Sequence, residues 1–185
     1  MKKVLIFIFL IASTKLFSQI ILSTDTTVCG SQTLNLYSIS ASVDSFVTDD
    51  TYTQSIDLGF DFDFYGITYN KILISSNGYV TFDTSNAGGY SPWAINAAIP
   101  NPGTPPENSI LVTWQDTDPG FSGAIYFGSY GASPNKVYIV TWCGLAMFSC
   151  NNLIYTSQLR LYEGSNKIEM YLQNKPVCAT WNGGA

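Results

Sequence analysis

The acidic side chains are the residues of this chain best suited to chemistry, because the sequence contains no histidine. Without histidine, the Ser-His and Cys-His arrangements of nucleophilic catalysis are excluded. Asp116 and Asp118 follow an apolar segment at positions i and i+2, and Glu107 lies nearby. Such carboxylates could serve glycoside hydrolysis, which needs two carboxyl groups a defined distance apart. Because acids in an Asp-Pro-Gly sequence commonly form turns, we favour a turn and expect no enzyme activity and no catalytic residue.

Asp116 and Asp118 are also the candidate metal ligands of the sequence. Together with backbone carbonyls they could supply some of the oxygen ligands that Ca²⁺ prefers, although the spacing is not that of an EF-hand. The competing interpretation is an Asx turn. A zinc site is not expected, because the chain has neither histidine nor a CxxC pair. Calcium is therefore the one cofactor that the sequence suggests.

Three aromatic residues, Tyr90, Trp93 and Trp114, are the candidate ligand contacts. Tyr90 and Trp93 lie in a long irregular segment, residues 83–108, which contains five prolines. Long irregular connections in compact domains are usually functional or form a cover. Stacking on a sugar ring is one interpretation. Packing of the loop onto a sheet is the other, and we favour it because large aromatic side chains are mostly buried.

The elements that must position these residues are short strands. Residues 56–82 contain an alternating segment in which Leu58, Phe60, Phe62 and Phe64 share one face and aspartates occupy the other. Asn77-Gly78 follows, and this pair predicts a tight hairpin in which both turn residues have positive φ. Further strands are predicted over Thr33–Tyr37, Ser109–Gln115, Gly123–Tyr130, Lys136–Trp142, Leu153–Tyr162 and Lys167–Leu172.

The last two strands form a predicted hairpin whose register can be stated. A two-residue turn at Gly164-Ser165 places Glu163 opposite Asn166. The pairs that follow unite apolar residues on one face, as a buried sheet requires. These pairs are Leu161 with Ile168, Leu159 with Met170, and Ser157 with Leu172.

The four cysteines predict a disulfide framework, since the chain also has features of an exported protein. Continued past the strand ends, the hairpin register brings Cys178 next to Cys150. The preferred bridges are therefore Cys150–Cys178 and Cys29–Cys143. The rival arrangement joins Cys143 to Cys150 and leaves Cys29 for Cys178.

Composition indicates the fold class. Aromatic residues make up 15% of the chain and charged residues only 11%, with 15 glycines and 8 prolines, and no window has a helical period of apolar residues. Many short strands joined by turns fit this composition. We expect an all-β fold, an antiparallel β-sandwich with long loops stapled by disulfides, and a barrel is the alternative.

The N-terminus has the pattern of a secretory signal peptide at residues 1–18, with Lys2 and Lys3 before a nine-residue apolar run. Its removal takes three of the eight basic residues and none of the thirteen acids, leaving a net charge of −8 (5 − 13). So acidic a surface repels nucleic acid and anionic membranes, and we expect neither as a partner. We also expect no membrane span after cleavage, because the apolar run is short.

Several segments resemble nidogen-like (NIDO) extracellular regions. FDFDFYGITYNKILISSNGYVTF, residues 60–82, resembles the phenylalanine-rich strand, FYG turn and SSNG-type hairpin that open such regions. VTWQDTDPGFSGAIYF, residues 112–127, is similar to their tryptophan-acid segment, and TSQLRLYEGSNKIEMYL, residues 156–172, resembles their paired final strands. These matches fall within residues 56–185, which we take as the domain, after a lead-in over residues 19–55.

A second resemblance is to secreted, modular surface proteins of Bacteroidetes, the adhesin-like and gliding-motility-associated group. It rests on residues 131–150, on NKPVCATWNGG at residues 174–184, and on LFSQ at the end of the signal peptide. The resemblance implies a secreted or cell-surface module for adhesion to an extracellular protein, or for carbohydrate binding, and assigns no catalytic residue. Members of that group continue into further repeats and a sorting domain, so we expect a shortened relative or a fragment.

Overall fold

The computed structural model of this protein describes residues 43–94, 98–99 and 106–184, together with the backbone of residues 20–21 and 37–38. Within these residues the chain forms strands and one short 3₁₀ turn, Asn182–Gly184. The strands are β1 Ile20–Ile21, β2 Tyr37–Ser38, β3 Val43–Phe46, β4 Ile56–Phe64, β5 Ile67–Ile74, β6 Tyr79–Thr81, β7 Ser109–Leu111, β8 Thr117–Asp118, β9 Ala124–Tyr130, β10 Val137–Met147, β11 Cys150–Tyr162 and β12 Ile168–Asn174.

Two antiparallel sheets build the domain. The large sheet has the strand order β12-β11-β10-β9-β3, with β8 paired to β10, and the small sheet has the order β4-β5-β6-β7. Side chains from both sheets form one apolar core, in which Leu58 and Phe62 of the small sheet join Trp142 and Leu159 of the large sheet. β1 and β2 pair with each other. The all-β sandwich is thus confirmed, and the barrel alternative is wrong because the strands form separate sheets.

β4 has the alternation predicted from its sequence. Leu58, Phe60 and Phe62 are buried, whereas the aspartates on the other face of the strand are exposed. The register with β5 shifts between Asp57 and Phe62, and Gly59 in this interval has a φ of 76°. A bulge of this kind bends the strand, and glycine permits the positive φ.

The Asn77-Gly78 turn differs from the prediction. The backbone N–H of Ser75 donates to the carbonyl of Tyr79 at 2.9 Å, so three residues, 76–78, form the loop. Only Gly78 has a positive φ, 77°. A three-residue hairpin loop needs one left-handed residue at its last position, which explains why the predicted two-residue turn is wrong.

The β11–β12 register is confirmed pair by pair, from Leu161 opposite Ile168 to Ser157 opposite Leu172. The predicted two-residue turn is wrong, because Tyr162 N–H donates to the carbonyl of Lys167 and residues 163–166 form the loop. Gly164 and Asn166 both have positive φ in this loop, 71° and 51°. The hydrophobic pattern therefore set the register without the expected turn.

The Cys150–Cys178 disulfide is also confirmed, with 5.8 Å between the two Cα atoms. Cys143 is disulfide-bonded as well. Because Cys150 is joined to Cys178, the rival Cys143–Cys150 bridge is wrong. Cys29, the predicted partner of Cys143, lies outside the described residues.

Two other segments depart from the sequence-based strands. The strand predicted over Ser109–Gln115 ends at Leu111, since the next three N–H groups, those of residues 112–114, all donate to the carbonyl of Gly78. In the lead-in, β3 pairs with β9 as an edge of the large sheet. The strand predicted over Thr33–Tyr37 lies outside the described residues except for Tyr37. The domain boundary at residue 56 stays a prediction.

Replacing Gly78 by alanine should destabilise the fold more than the same change at Gly66. Both glycines have positive φ, 77° and 83°, so both substitutions strain the backbone by about 1 kcal/mol. At Gly78 the new methyl group would also overlap Thr113 Oγ1 and lie 3.2 Å from the Trp114 nitrogen, whereas nothing lies within 4 Å at Gly66. Chemical denaturation should show a loss of about 3 kcal/mol for Gly78→Ala. Equal losses in the two variants would contradict the tight packing around the hairpin tip.

Candidate functional site

The tip of the β5–β6 hairpin is buried at one end of the sandwich. Asn77 is fully buried, and its amide binds three separate segments. Nδ2 donates to Asp50 Oδ1 at 3.1 Å and to the carbonyl of Pro92 at 3.2 Å, while Oδ1 accepts the N–H of Thr117 at 3.1 Å. One side chain therefore fixes the loop before β4, the loop after β6 and the start of β8.

A second set of bonds joins hydroxyl groups beside Asn77. Tyr52 and Tyr79 share a hydrogen bond of 2.6 Å between their hydroxyls, and Ser91 Oγ bonds both Tyr79, at 3.0 Å, and Ser75, at 2.6 Å. Burial raises the pKa of Tyr52 and of Tyr79 above the ordinary value. The hydroxyls thus stay neutral and act as fixed links between the loops and the outer face of the small sheet.

We call this end of the molecule the loop end. It comprises residues 47–53, 75–78, 90–93, 113–123, 148–149 and 178–182. The loop end contains four carboxylates, those of Asp49, Asp50, Asp116 and Asp118, and repulsion among them raises the pKa values of Asp49, Asp50 and Asp116. Asp116 is 2% exposed. Its Oδ2 accepts the indole N–H of Trp181 at 2.5 Å.

Burial dominates the ionisation of this group of acids. It raises the pKa of Asp116 to about 7, the Trp181 hydrogen bond lowers it, and the other three carboxylates raise it further. Burial also raises the pKa of Asp49 to about 6, with added repulsion from Asp50 and Asp118. The pKa of Asp50 is raised by burial, against the lowering effect of the Asn77 amide.

Aromatic rings lie beside the carboxylates. The Trp181 ring centre is 5.4 Å from that of Trp93 and 4.9 Å from that of Phe148. Asn182 Nδ2 donates to the carbonyl of Trp93 at 2.8 Å, and the Cys150–Cys178 disulfide holds the segment that precedes Trp181. The C-terminal residues thus close this side of the loop end.

The structure brings some of the sequence-predicted site residues together and separates others. Trp93 and Asp116 both contact Trp181. Tyr90 forms a backbone bridge with Thr51 and is 55% exposed. Trp114 instead packs against a small cluster on the outer face of the small sheet, formed by Tyr52, Leu73 and Tyr79. The three aromatic candidates therefore do not form one platform.

Asp116 and Asp118, the predicted calcium ligands, direct oxygens to protein groups. Asp118 Oδ1 accepts the N–H of Phe121, three residues further along the same turn, at 3.0 Å, and Asp116 Oδ2 is bonded to Trp181. In the part of the chain that the structure describes, no group of three or more His, Cys, Asp or Glu side chains is arranged to hold a metal ion. Calcium binding by these residues stays a prediction.

Sequence reasoning missed Asn77, Asp49, Asp50 and Trp181 as members of this site. The sequence accounts for Asn77 as a turn residue, and residues 49 and 50 lie in a polar stretch typical of an exposed edge. Trp181 lies 65 residues from Asp116 along the chain. Only the strand order brings these residues to one end of the sandwich. The one sequence signal that could have indicated the site is the acidic doublet Asp49-Asp50, which lies close to aromatic residues.

The fold and this site define an all-β, disulfide-bonded domain with its loops fixed at one end. A family model described as NIDO related matches residues 26–185, and the chain belongs to this family, which is nidogen-like. Disulfides persist in oxidising compartments, so the family and the bridge together indicate an extracellular domain. No curated protein and no solved structure matches the chain. Among the described residues, no helix is long and apolar enough to span a membrane.

The stability of the domain should fall as the pH rises from about 5 to about 8. The pKa values of Asp116 and Asp49 are raised from 3.8 to about 7 and about 6, so the folded state retains protons that the unfolded chain releases. Their protonation stabilises the fold fully below about pH 4, and this contribution is lost as the pH rises through 6 to 7. Thermal unfolding in a buffer series measures the effect.

Asp116→Asn keeps an acceptor for Trp181 but removes the charge, so it should flatten this pH dependence. Asp61→Asn, at an exposed position on β4, is the matched control and should keep the slope of the unmodified protein. A melting temperature that rises with pH over this range would contradict the raised pKa values of Asp116 and Asp49. So would an Asp116→Asn variant whose melting temperature falls with pH as steeply as that of the unmodified protein.

Proposed function

We propose that this protein is a secreted or cell-surface module, without enzyme activity, that mediates adhesion by binding an extracellular protein at the loop end. The observation behind the proposal is the anchoring of separate loops by the buried Asn77 amide. Loops fixed on a rigid scaffold are common sites of recognition. A surface that is already ordered loses little conformational entropy on binding.

The exposed side chains of the loop end indicate the kind of partner that it binds. Phe121 is 60% exposed and Tyr90 is 55% exposed, and Phe148 also reaches the surface. Aromatic side chains of this kind often provide most of the binding energy at protein interfaces. The neighbouring carboxylates favour a partner segment with positive charge, since complementary charge speeds association and selects partners. We therefore infer a partner that presents basic and apolar side chains together.

Two features typical of exported proteins support the same proposal. The first 18 residues have the pattern of a signal peptide, and the disulfide suits an oxidising compartment. From the resemblance of residues 131–150 and 174–184 to surface proteins of Bacteroidetes, we infer that the protein is an adhesin-like protein of that group.

Carbohydrate binding assisted by calcium is the alternative function. It would use Tyr90, Trp93 and Trp114 as stacking surfaces and Asp116 with Asp118 as ligands. Sugar-binding platforms need rings that face one ligand, whereas Trp93 and Trp114 pack in different clusters. The geometry therefore favours a protein partner.

A synthetic peptide of alternating arginine and leucine should bind the protein, and a peptide with glutamate in place of arginine should not. Biolayer interferometry at low and high salt measures both, and binding should weaken with salt. Phe121→Ala and Asp118→Asn should each weaken binding about tenfold, because they remove an aromatic anchor and a charge.

Tyr65→Ala is the matched control for these variants. Tyr65 is 93% exposed, but it lies at the turn between β4 and β5, at the far end of the small sheet from Asn77. Its loss should leave peptide binding unchanged. Equal binding of the basic and acidic peptides would contradict the proposal. Binding on a glycan array that EDTA abolishes would instead support the calcium-assisted alternative.

A further inference from the structure

Asp116 is a buried carboxylate that the protein itself pairs incompletely. It is 2% exposed, and of its two oxygens only Oδ2 accepts a hydrogen bond from a residue that the structure describes, the 2.5 Å bond from the Trp181 indole. No lysine or arginine of the described residues forms an ion pair with it. Burial raises its pKa to about 7, and the carboxylates of Asp49, Asp50 and Asp118 raise it further. A positive charge beside Asp116 would therefore offset a cost that the neutral indole cannot.

Two aromatic rings lie beside the Trp181 indole. The centres of the Trp93 and Phe148 rings lie 5.4 Å and 4.9 Å from that of Trp181. The group in contact with these rings and with Asp116 is thus flat and has one N–H donor. A guanidinium is also flat, stacks on aromatic rings and donates two parallel N–H bonds to a carboxylate, and it carries the charge that an indole lacks. An ammonium group has the charge but not the planar shape.

The segment that carries Trp181 is held by few bonds. It follows Cys178, which its disulfide fixes, and it forms no strand. Trp181 N–H donates to the carbonyl of Cys178 at 3.2 Å, and Asn182 Nδ2 donates to the carbonyl of Trp93 at 2.8 Å. Segments with few buried contacts open at a lower free energy than paired strands. Residues 179–184 are therefore displaceable without unfolding of either sheet.

We propose that Asp116, Trp93 and Phe148 form a binding site for an arginine side chain of the partner, and that this arginine displaces Trp181. The inference rests on the proposed function, because it names the partner group that the loop end recognises. The guanidinium donates both bonds to the Asp116 carboxylate and lies against the two rings. In the free protein Trp181 fills the site, so a partner segment without arginine gains too little to displace it.

Biolayer interferometry with two basic peptides tests the choice of cation. The peptide of alternating arginine and leucine should bind at least about tenfold more tightly than the same peptide with lysine in place of arginine. Asp116→Asn should remove this preference. Trp181→Phe keeps a ring but removes the N–H that competes for the carboxylate, so it should strengthen binding of the arginine peptide about fivefold. Val177→Ala, at an exposed position just before the disulfide, is the control and should leave the affinity unchanged.

The displacement itself can be observed at the indole N–H groups. The chain has four tryptophans, and the Trp181 signal in a proton–nitrogen correlation spectrum is the one that Trp181→Phe removes. When the arginine peptide is added, this signal should move from its hydrogen-bonded position towards that of an indole in water. The signal of Trp142, whose indole donates to the carbonyl of Ser75 at 2.9 Å in the core, should stay in place.

The outcomes distinguish this inference from the proposed function. Equal affinity for the two basic peptides, or a Trp181 signal that stays when the arginine peptide binds, would overturn the arginine site but leave a basic partner in place. A preference for arginine that survives in Asp116→Asn would also overturn it. If neither basic peptide bound, the proposed function and this inference would both be wrong. Should Trp181→Phe fail to fold, the two peptides on the unmodified protein and on Asp116→Asn still decide the result.

Discussion

The hydrogen bonds of the Asn77 side chain are the constraint on which the loop end depends. The amide is fully buried, and its partners come from three segments that are otherwise far apart in the chain. Each such bond contributes about 1 kcal/mol net, but a buried amide left without partners would cost about 1–3 kcal/mol per group. The loops and the hairpin tip must therefore be ordered together. This coupling explains how aspartates can be held close to one another in the same place.

The rest of the domain supports that arrangement from two directions. The carbonyl of Gly78 accepts three successive N–H groups and ends β7 early, which turns the chain towards Asp116. The Cys150–Cys178 bridge and the Trp181 indole then close the opposite side. Repulsion among the carboxylates and the burial of Asp116 oppose this structure, and the hydrogen bonds offset that cost. A binding surface that is rigid but electrostatically destabilised is consistent with the proposed recognition of a basic partner.

Local sequence patterns predicted the elements well, and topology decided what they could not. The alternation of Leu58 with Phe60 and Phe62 identified β4, and apolar matching across β11 and β12 gave both the register and the Cys150–Cys178 bridge. The turns were predicted less well, because Asn-Gly and Gly-Ser fit loops of more than one length. The site itself depends on contacts between residues far apart in sequence, such as Asp116 with Trp181. The exposure of Met170, on a face expected to be buried, depends on the width of the other sheet, which no local pattern encodes.

Hydrogen exchange of an Asn77→Ala variant tests the central role of this amide most directly. Exchange should become about tenfold faster in residues 48–53, 91–93 and 113–118, while β10 and β11 keep their protection. Asn77→Asp keeps the acceptor for Thr117, so it should loosen the first two segments only, and Asn70→Ala at an exposed position should change none of them. Unchanged exchange in all three segments of Asn77→Ala would contradict the account.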